Sequence, residues 1–186
     1  MITAWIGLGS NAGDRMLFMS RAVEGLSSLE TTRVTDLSSL YETAPVEVGG
    51  GLFINAVARI ETALTAGELL KAILRLEKEL GRERTPGKAE PRVMDLDLLL
   101  FGDERMEEPD LILPHPRMTG RRFVMVPLAE LEGSLPIPGT GRTAAQIAAG
   151  LERSAREQAV KRLGTLEALT SGKPVLGLDQ PSPKKL

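Results

Sequence analysis

Two aspartates separated by a single residue are the side chains in this sequence that point most directly to chemistry. Asp95 and Asp97 lie in the short apolar run 94–101, which ends at the pair Gly102-Asp103; such a run predicts a β-strand followed by a turn. Because side chains alternate along a strand, both carboxylates share one face, with Cα atoms roughly 6–7 Å apart. Two ionised carboxylates repel each other, so we expect a cation between them. Mg²⁺ binds carboxylate oxygens and keeps further positions for water or phosphate.

A basic segment directly precedes this strand. Residues 82–92 contain three arginines and one lysine but only two glutamates. The four cations are Arg82, Arg84, Lys88 and Arg92. Arginine binds phosphate oxygens with paired donors, and lysine binds them as a point charge. The combination predicts a site for Mg²⁺ and a polyphosphate, and the alternative is a solvated loop beside two salt-bridged acids.

Scarce aromatic side chains and a single histidine are further candidates. Phe53 and Phe123 stand out because aromatic residues make up only 3% of the chain. Asn55 carries a donor and an acceptor that suit the edge of a planar heterocycle. His115 is the only histidine and lies between two prolines, which suits a fixed contact with a ligand but does not make a histidine-type metal site. A phenylalanine in such a sequence is more often a core residue than a ligand contact, so a place in the core is the alternative for each.

The overall composition argues against several classes of protein. The net charge is −2, from 23 basic and 25 acidic residues, whereas a nucleic-acid-binding surface requires a basic excess. The chain has no cysteine, which excludes disulfides and thiolate metal sites and fits the cytoplasm. No apolar run approaches the ~20 residues of a membrane span, and no signal peptide is recognisable. We expect a soluble cytoplasmic monomer without nucleic-acid or membrane partners.

The elements that must position these residues follow the order β-α-β-β-α-β. Strands are predicted over 2–8, 32–41, 53–60 and 93–101, and helices over 16–29 and 66–80. This order predicts an α+β fold of the ferredoxin-like type, with an antiparallel sheet and its helices on one face. The aspartates would then lie on the open face. Met94, Leu96, Leu98 and Leu100 are expected to point the other way, into the core.

Local signals outside this core are less decisive. The turn Gly9-Ser10-Asn11 is expected to cap the first helix or to present backbone N–H groups to an anion. Residues 121–131 are compatible with either a helix or a strand. Thr143 begins a capping box, and its helix is expected to continue to about Leu169. We therefore predict a domain over 1–150, a C-terminal helical extension over 151–170 and a disordered tail over 171–186. The fold would thus carry additional helices at its C-terminal end.

Several motifs occur in order and together resemble a known enzyme family. They are Gly9-Ser10-Asn11, Tyr41-Glu42-Thr43-Ala44-Pro45, Phe53-Ile54-Asn55, Glu77…Gly81-Arg82, Pro91-Arg92-Val93-Met94-Asp95-Leu96-Asp97-Leu98-Leu99 and Leu113-Pro114-His115-Pro116-Arg117-Met118…Arg121-Arg122-Phe123. Over about residues 2–150 the chain resembles 6-hydroxymethyl-7,8-dihydropterin pyrophosphokinase, an enzyme of folate biosynthesis. The resemblance implies that the β,γ-pyrophosphoryl group of ATP is transferred to the pterin hydroxymethyl, with release of AMP.

The resemblance also implies roles for individual residues. Asp95 and Asp97 would hold two Mg²⁺ ions, and Arg82 and Arg92 would act as catalytic residues that stabilise charge on the transferred group. The residues implied to contact the pterin are Thr43, Ala44, Val46, Phe53, Asn55 and Phe123. The residues implied to contact ATP are Glu77, Arg84, Lys88, Arg92, Leu98, Ile112, His115 and Arg121. Loops 9–15, 44–52 and 82–92 would close over both substrates.

The chain departs from the pattern common in that family at three places. Lys88-Ala89-Glu90 stands where Arg-Trp-Gly is frequent, which removes an aromatic lid and adds an acid. Ile112 replaces a hydroxyl residue, and Phe53 replaces a tyrosine. These departures concern ATP binding and loop closure rather than the reaction.

Two other functions are compatible with the same residues. One is a different Mg²⁺-dependent phosphoryl or nucleotidyl transferase that acts on another alcohol. The other is a ferredoxin-like binding module without catalysis. Formation of AMP from ATP and the pterin would distinguish both from the pyrophosphokinase.

Overall fold

An antiparallel sheet flanked by helices organises the chain in the computed structural model, which describes residues 1–45, 51–82, 92–155 and 158–167. The strands within these ranges are β1 (Ile2–Ser10), β2 (Thr32–Leu37), β3 (Leu40–Thr43), β4 (Phe53–Thr62), β5 (Asp95–Phe101), β6 (Met106–Glu108), β7 (Leu111–Leu113), β8 (Pro136–Ile137), β9 (Arg142–Thr143) and β10 (Val160–Gly164). The helices are α1 (Arg15–Ser27), α2 (Ala66–Glu79), α3 (Arg122–Glu132) and α4 (Ala144–Ser154), with a 3₁₀ turn at Met118–Gly120. None of the helices in these ranges is both long and apolar enough to cross a membrane.

The main sheet has the strand order β10-β3-β4-β1-β5, and β2 also pairs with β4. All its pairings are antiparallel. The order of its central strands agrees with the predicted ferredoxin-like α+β fold. The predicted strand 32–41 is divided in two at Ser38 and Ser39. There the hydroxyl of Ser38 accepts the backbone N–H of Val57 at 3.0 Å, and Ser39 donates its backbone N–H to Glu130 at 2.9 Å.

Helices α1 and α2 pack on one face of the sheet and bury its main core. The predicted capping box of α2 is present, because Thr65 and Glu68 each bind the other's backbone N–H. The cap of α1 is instead Asp14, whose carboxylate accepts the backbone N–H of Leu17 at 3.1 Å. The expectation that Ser10 or Asn11 caps this helix is therefore wrong.

The second face of the sheet is only partly open, because α3 and α4 cover one end of it. Trp5 and Leu100 are buried there with Met125 and Leu128 of α3. A β-bulge brings Leu100 to this face: Leu98 pairs with Ile6 but Leu100 pairs with Trp5, so the strand contains an additional residue at this point. The prediction that Leu100 points away from the aspartates is wrong for this reason.

The C-terminal part of the described chain is a strand rather than a continued helix. α4 has its predicted capping box and ends at Ser154, and β10 then pairs with β3. The expectation of helix to about Leu169 is wrong over these residues, because β3 offers a free edge and Leu163 becomes buried in the core at 9% exposure. The tail 171–186 lies outside the described residues, and the domain boundary at residue 150 stays a prediction.

Candidate active site

A cleft lies at the uncovered end of the second sheet face. It encloses about 730 Å³, including space open to solvent. Its floor contains Gly7 and Gly9 of β1. A Cβ at Gly9 would come within 3.1 Å of the Asn55 side-chain oxygen, so the absence of a side chain keeps the floor bare. Asp95 and Asp97 line the same cleft, as the two-residue spacing predicts.

Asp95 is held between the two ends of the basic segment. Arg82 donates from Nη1 to its Oδ1, and Arg92 donates from Nη1 to its Oδ2. Each carboxylate oxygen therefore faces a guanidinium, which compensates the cost of placing the charge in a partly buried position. The predicted proximity of these arginines to the acidic strand is present in the structure.

Glu77 supports this arrangement from behind. The residue is 1% exposed, and its Oε1 accepts the backbone N–H of Leu96 at 2.7 Å and an N–H of Arg82. Glu77 thus connects α2 to β5 and orients Arg82 toward Asp95. The residues that line the cleft do not include Glu77, so its side chain acts here as a support.

Asp97 lies in a different electrostatic environment. Burial, followed by the charge of Asp95, raises the pKa of Asp97. His115, Arg121 and Arg82 counteract this effect only in part. A proton or another cation at Asp97 is therefore favoured more strongly than at an ordinary exposed aspartate.

The imidazole of His115 faces Asp97, with 3.9 Å between Nε2 and Oδ1. Its Nδ1 accepts the backbone N–H of Arg117 at 3.2 Å, so the neutral ring carries its proton on Nε2. Burial lowers the pKa of His115, and Arg121 and Arg117 act in the same direction, while Asp97 opposes them. The ring is therefore poised as a donor directed at Asp97.

The Gly9-Ser10-Asn11 turn fixes the backbone that carries Arg92, a role that the sequence analysis missed. The Ser10 hydroxyl donates to the carbonyl oxygen of Val93 at 2.6 Å. The Asn11 side chain accepts the N–H of Arg92 at 2.6 Å, and its backbone N–H donates to the Arg92 carbonyl at 3.0 Å. No local pattern could have shown this contact, since its partners lie about 80 residues apart.

The predicted pterin contacts in the described residues all line the cleft. They are Thr43, Ala44, Phe53, Asn55 and Phe123. The Asn55 amide donates to the Thr43 hydroxyl at 2.8 Å, which fixes its orientation. The guanidinium carbon of Arg121 lies 5.5 Å from the centre of the Phe123 ring, within range of a cation–π contact.

The predicted ATP contacts are brought together only in part. Arg92 and Arg121 line the cleft, and so does Arg117, which the sequence analysis left out although it belongs to the Leu-Pro-His-Pro-Arg motif. The Leu98 side chain is 4% exposed and packs in the core under α1 and α2. Ile112 is 45% exposed on β7 and is absent from the cleft lining.

Some predicted contacts lie outside the described residues. They are Val46, Arg84 and Lys88. No group of three or more acidic, histidine or cysteine side chains suited to a metal occurs in the described ranges. Asp95 and Asp97 together present two carboxylates to the cleft, and two carboxylates with substrate phosphates and water are a donor set that Mg²⁺ commonly uses.

A family model described as 7,8-dihydro-6-hydroxymethylpterin-pyrophosphokinase matches residues 5–133 of the chain. The chain belongs to this pyrophosphokinase family. The 2-amino-4-hydroxy-6-hydroxymethyldihydropteridine pyrophosphokinase of Bacillus subtilis (strain 168) is 46% identical over 129 residues, which cover 69% of this chain and 77% of the relative. The enzyme of the same name from Haemophilus influenzae is 39% identical over 141 residues, covering 75% and 88%.

Solved structures agree at the level of the fold. The Plasmodium falciparum HPPK-DHPS wild type with pteroate matches with a TM-score of 0.69 at 12% identity, covering 84% of this chain and 45% of that longer chain. For this pyrophosphokinase, the comparisons confirm the resemblance stated from the motifs and the predicted α+β fold. They also confirm pyrophosphoryl transfer in folate biosynthesis as its function, with ATP as the co-substrate of the family.

Proposed function

We propose that Asp95 and Asp97 bind two Mg²⁺ ions together with ATP. The proposal is supported by the two-carboxylate donor set beside arginines in one cleft. Bound there, the ions would neutralise phosphate charge and lower the pKa of the pterin hydroxyl. Burial and the charge of Asp95 raise the pKa of Asp97, and a cation bound beside it would offset both effects.

Arg82 and Arg92 are proposed to stabilise the negative charge that develops on the transferred pyrophosphoryl group. Both guanidinium groups converge on Asp95, at the edge of the space where that group would lie. Glu77 holds Arg82 in position, and the Ser10-Asn11 turn holds the Arg92 backbone. Donors that are fixed before the reaction need little reorganisation during it, which is the main source of electrostatic catalysis.

The pterin is proposed to lie between Phe53 and Phe123, because a flat heterocycle stacks well between two aromatic rings. The Asn55 amide group, held by Thr43, would hydrogen-bond to the polar edge of the ring. Ala44 completes this part of the lining. The single observation that carries the assignment is that these side chains and the two aspartates line the same cleft.

The phosphates of ATP are proposed to contact Arg92, His115 and Arg121, with Arg117 as an addition suggested by its place in the cleft. Arg84 and Lys88 remain proposed contacts on the resemblance alone. Because Leu98 is buried, it could contact ATP only through its backbone. The exposed Ile112 has only an apolar side chain to offer to ATP. A cytoplasmic location and a monomeric state are proposed from composition.

The decisive experiment mixes the protein with ATP, MgCl₂ and 6-hydroxymethyl-7,8-dihydropterin and separates the nucleotides by chromatography. AMP should form in equal amount to the pyrophosphorylated pterin. ADP as the nucleotide product would overturn the proposed transfer. Excess EDTA should abolish AMP formation, and MgCl₂ in excess of EDTA should restore it; AMP formation that persists in EDTA would overturn the proposed metal dependence.

A further inference from the structure

Residues 158–164 contact two elements that line the cleft, although they lie beyond the residues 5–133 that match the family. One element is α3, whose first turn carries Phe123. The other is β3, which ends at Thr43. Pyrophosphoryl transfer by the residues of the cleft assigns no role to this C-terminal segment.

The first contact is at the beginning of α3. Within the described residues, the side chain of the N-cap residue Arg121 makes no capping hydrogen bond to the helix. Gln158 supplies it from a distance: its Oε1 accepts the backbone N–H of Arg122 at 2.9 Å. Arg122 returns a bond from Nη1 to the Gln158 carbonyl at 3.0 Å, and Gln158 Nε2 donates to the Gly120 carbonyl at 3.3 Å. The first of these bonds satisfies a backbone N–H that a helix start leaves open, and the other two hold Gln158 in place.

The second contact is the strand pairing of β10 with β3, in which Val160 lies opposite Thr43. Arg162 of β10 reaches across to α3 and donates to Glu130 from Nε at 3.3 Å and from Nη2 at 3.1 Å. Leu163 is buried in the main core. The segment that follows Gln158 is therefore held by contacts that do not involve Gln158. These contacts keep the Gln158 backbone close to the beginning of α3.

The cap lies at the end of α3 that borders the cleft, so it can affect the shape of the cleft. The N-cap residue Arg121 and the first-turn residues Phe123 and Val124 all belong to the cleft lining. Farther along, Met125 and Leu128 are fully buried against the sheet, so the body of the helix is held by packing. Loss of the cap should therefore loosen the first turn, and with it the Phe123 ring, while the rest of the helix stays in place.

We propose that Gln158 is a positioning residue for the pterin site: it caps α3 and so holds Phe123 in the orientation that stacks on the pterin ring. The inference rests on the proposed stacking role of Phe123. It assigns to the C-terminal segment a part in substrate recognition, exerted through the helix and without contact between Gln158 and the pterin.

The test compares steady-state kinetics of Gln158→Leu and Gln158→Glu with the wild-type enzyme. Gln158→Leu removes the acceptor at similar size and should raise the KM for the pterin about fivefold, the factor that corresponds to one helix cap of about 1 kcal/mol. Gln158→Glu keeps an oxygen for the Arg122 N–H and places a favourable acid at the helix start, but it loses the donor to the Gly120 carbonyl. It should therefore recover part of the loss and give a KM between those of the wild type and Gln158→Leu.

Gln146→Leu is the matched control. The Gln146 side chain accepts the backbone N–H of Thr143 at 3.0 Å and so closes the capping box of α4, away from the cleft lining. This variant should lower Tm by a similar amount and leave the pterin KM unchanged. An equal pterin KM in Gln158→Leu and Gln146→Leu, or no recovery in Gln158→Glu, would overturn the proposal.

Two further variants keep the result interpretable. If Gln158→Leu does not fold, Gln158→Asn shortens the side chain by one methylene and should raise the pterin KM in the same direction; an unchanged KM would contradict the inference. Phe123→Ala tests the underlying role. A normal pterin KM in Phe123→Ala would refute the stacking assignment, whereas a raised KM there with a normal KM in Gln158→Leu would refute the positioning role alone.

Discussion

At the scale of single residues, Asp95 and Asp97 carry the same functional group in different surroundings. Asp95 has a guanidinium on each oxygen, while Asp97 faces His115 at 3.9 Å and has a raised pKa. Different environments allow two identical side chains to perform different tasks. Without a metal, two guanidinium groups already hold the Asp95 carboxylate in place. A cation would stabilise the ionised form of Asp97 more than that of Asp95.

Asp97→Asn tests this difference. The variant should lower kcat/KM for AMP formation at least about 100-fold, because an amide is a weaker ligand for a hard cation. Its free energy of unfolding without Mg²⁺ should be equal to or higher than that of the wild type. A raised folded-state pKa means that the ionised aspartate opposes folding above that pKa, and asparagine removes this charge. Urea unfolding at pH 7 gives the comparison, and loss of the far-UV dichroism would instead indicate a structural role for Asp97.

At the scale of elements, the sequence predicted the features that depend only on neighbouring residues, such as helix caps. The capping boxes at Thr65 and Thr143 follow from their spacing, and both are present. The bulge that turns Leu100 to the second face depends on pairing with β1, which no periodicity in β5 encodes. The segment 121–131, which the sequence leaves open between helix and strand, forms the helix α3 with Pro127 inside it, because packing on the sheet overrides this unfavourable residue.

The turn after β1 should influence catalysis through Arg92. Ser10→Ala removes the hydroxyl that donates to Val93 at 2.6 Å, and loss of one buried hydrogen bond costs about 1 kcal/mol. We expect kcat to fall about fivefold while the KM for the pterin changes less than twofold. Ser27→Ala, which removes an exposed hydroxyl bond to Val23, is the control and should leave kcat unchanged. A lower Tm with a normal kcat in Ser10→Ala would show that the bond serves stability alone.

Glu130 joins three elements and should make stability depend on pH. Its carboxylate accepts hydrogen bonds from Ser39, Tyr41 and Arg162. Burial raises the pKa of Glu130, but these bonds outweigh burial and lower the pKa below its ordinary value of 4.5. The stabilisation is therefore complete above about pH 4.5 and is lost as the pH falls through the lower folded-state pKa.

Glu130→Gln should remove this part of the pH dependence. Thermal unfolding between pH 3 and pH 6 should show the largest difference in Tm between wild type and variant at pH 6 and a smaller difference toward pH 3. Parallel Tm curves would contradict the assignment.

At the scale of the whole molecule, the cleft collects side chains from distant parts of the sequence. The motifs predicted several of the side chains that line it, since the family resemblance links residues that periodicity leaves unrelated. They did not predict the supports: Glu77 behind Asp95, the Ser10 turn behind Arg92 and Gln158 at α3. These supports depend on pairs 19, 83 and 36 residues apart, and only the folded chain brings such pairs together.

Binding of ATP should therefore stabilise the whole fold, and much more strongly with Mg²⁺ than without it. Without a cation, the phosphates of ATP would meet two aspartates as well as the arginines of the cleft. A ligand at 100 times its Kd adds about 2.7 kcal/mol of stability, which for a chain of this size is a rise in Tm of roughly 5–10 °C. A nonhydrolysable ATP analogue with MgCl₂ should produce this shift, and the analogue with EDTA should produce less than half of it. Asp97→Asn should respond weakly to both. Equal shifts with MgCl₂ and with EDTA in the wild type would contradict metal-coupled nucleotide binding.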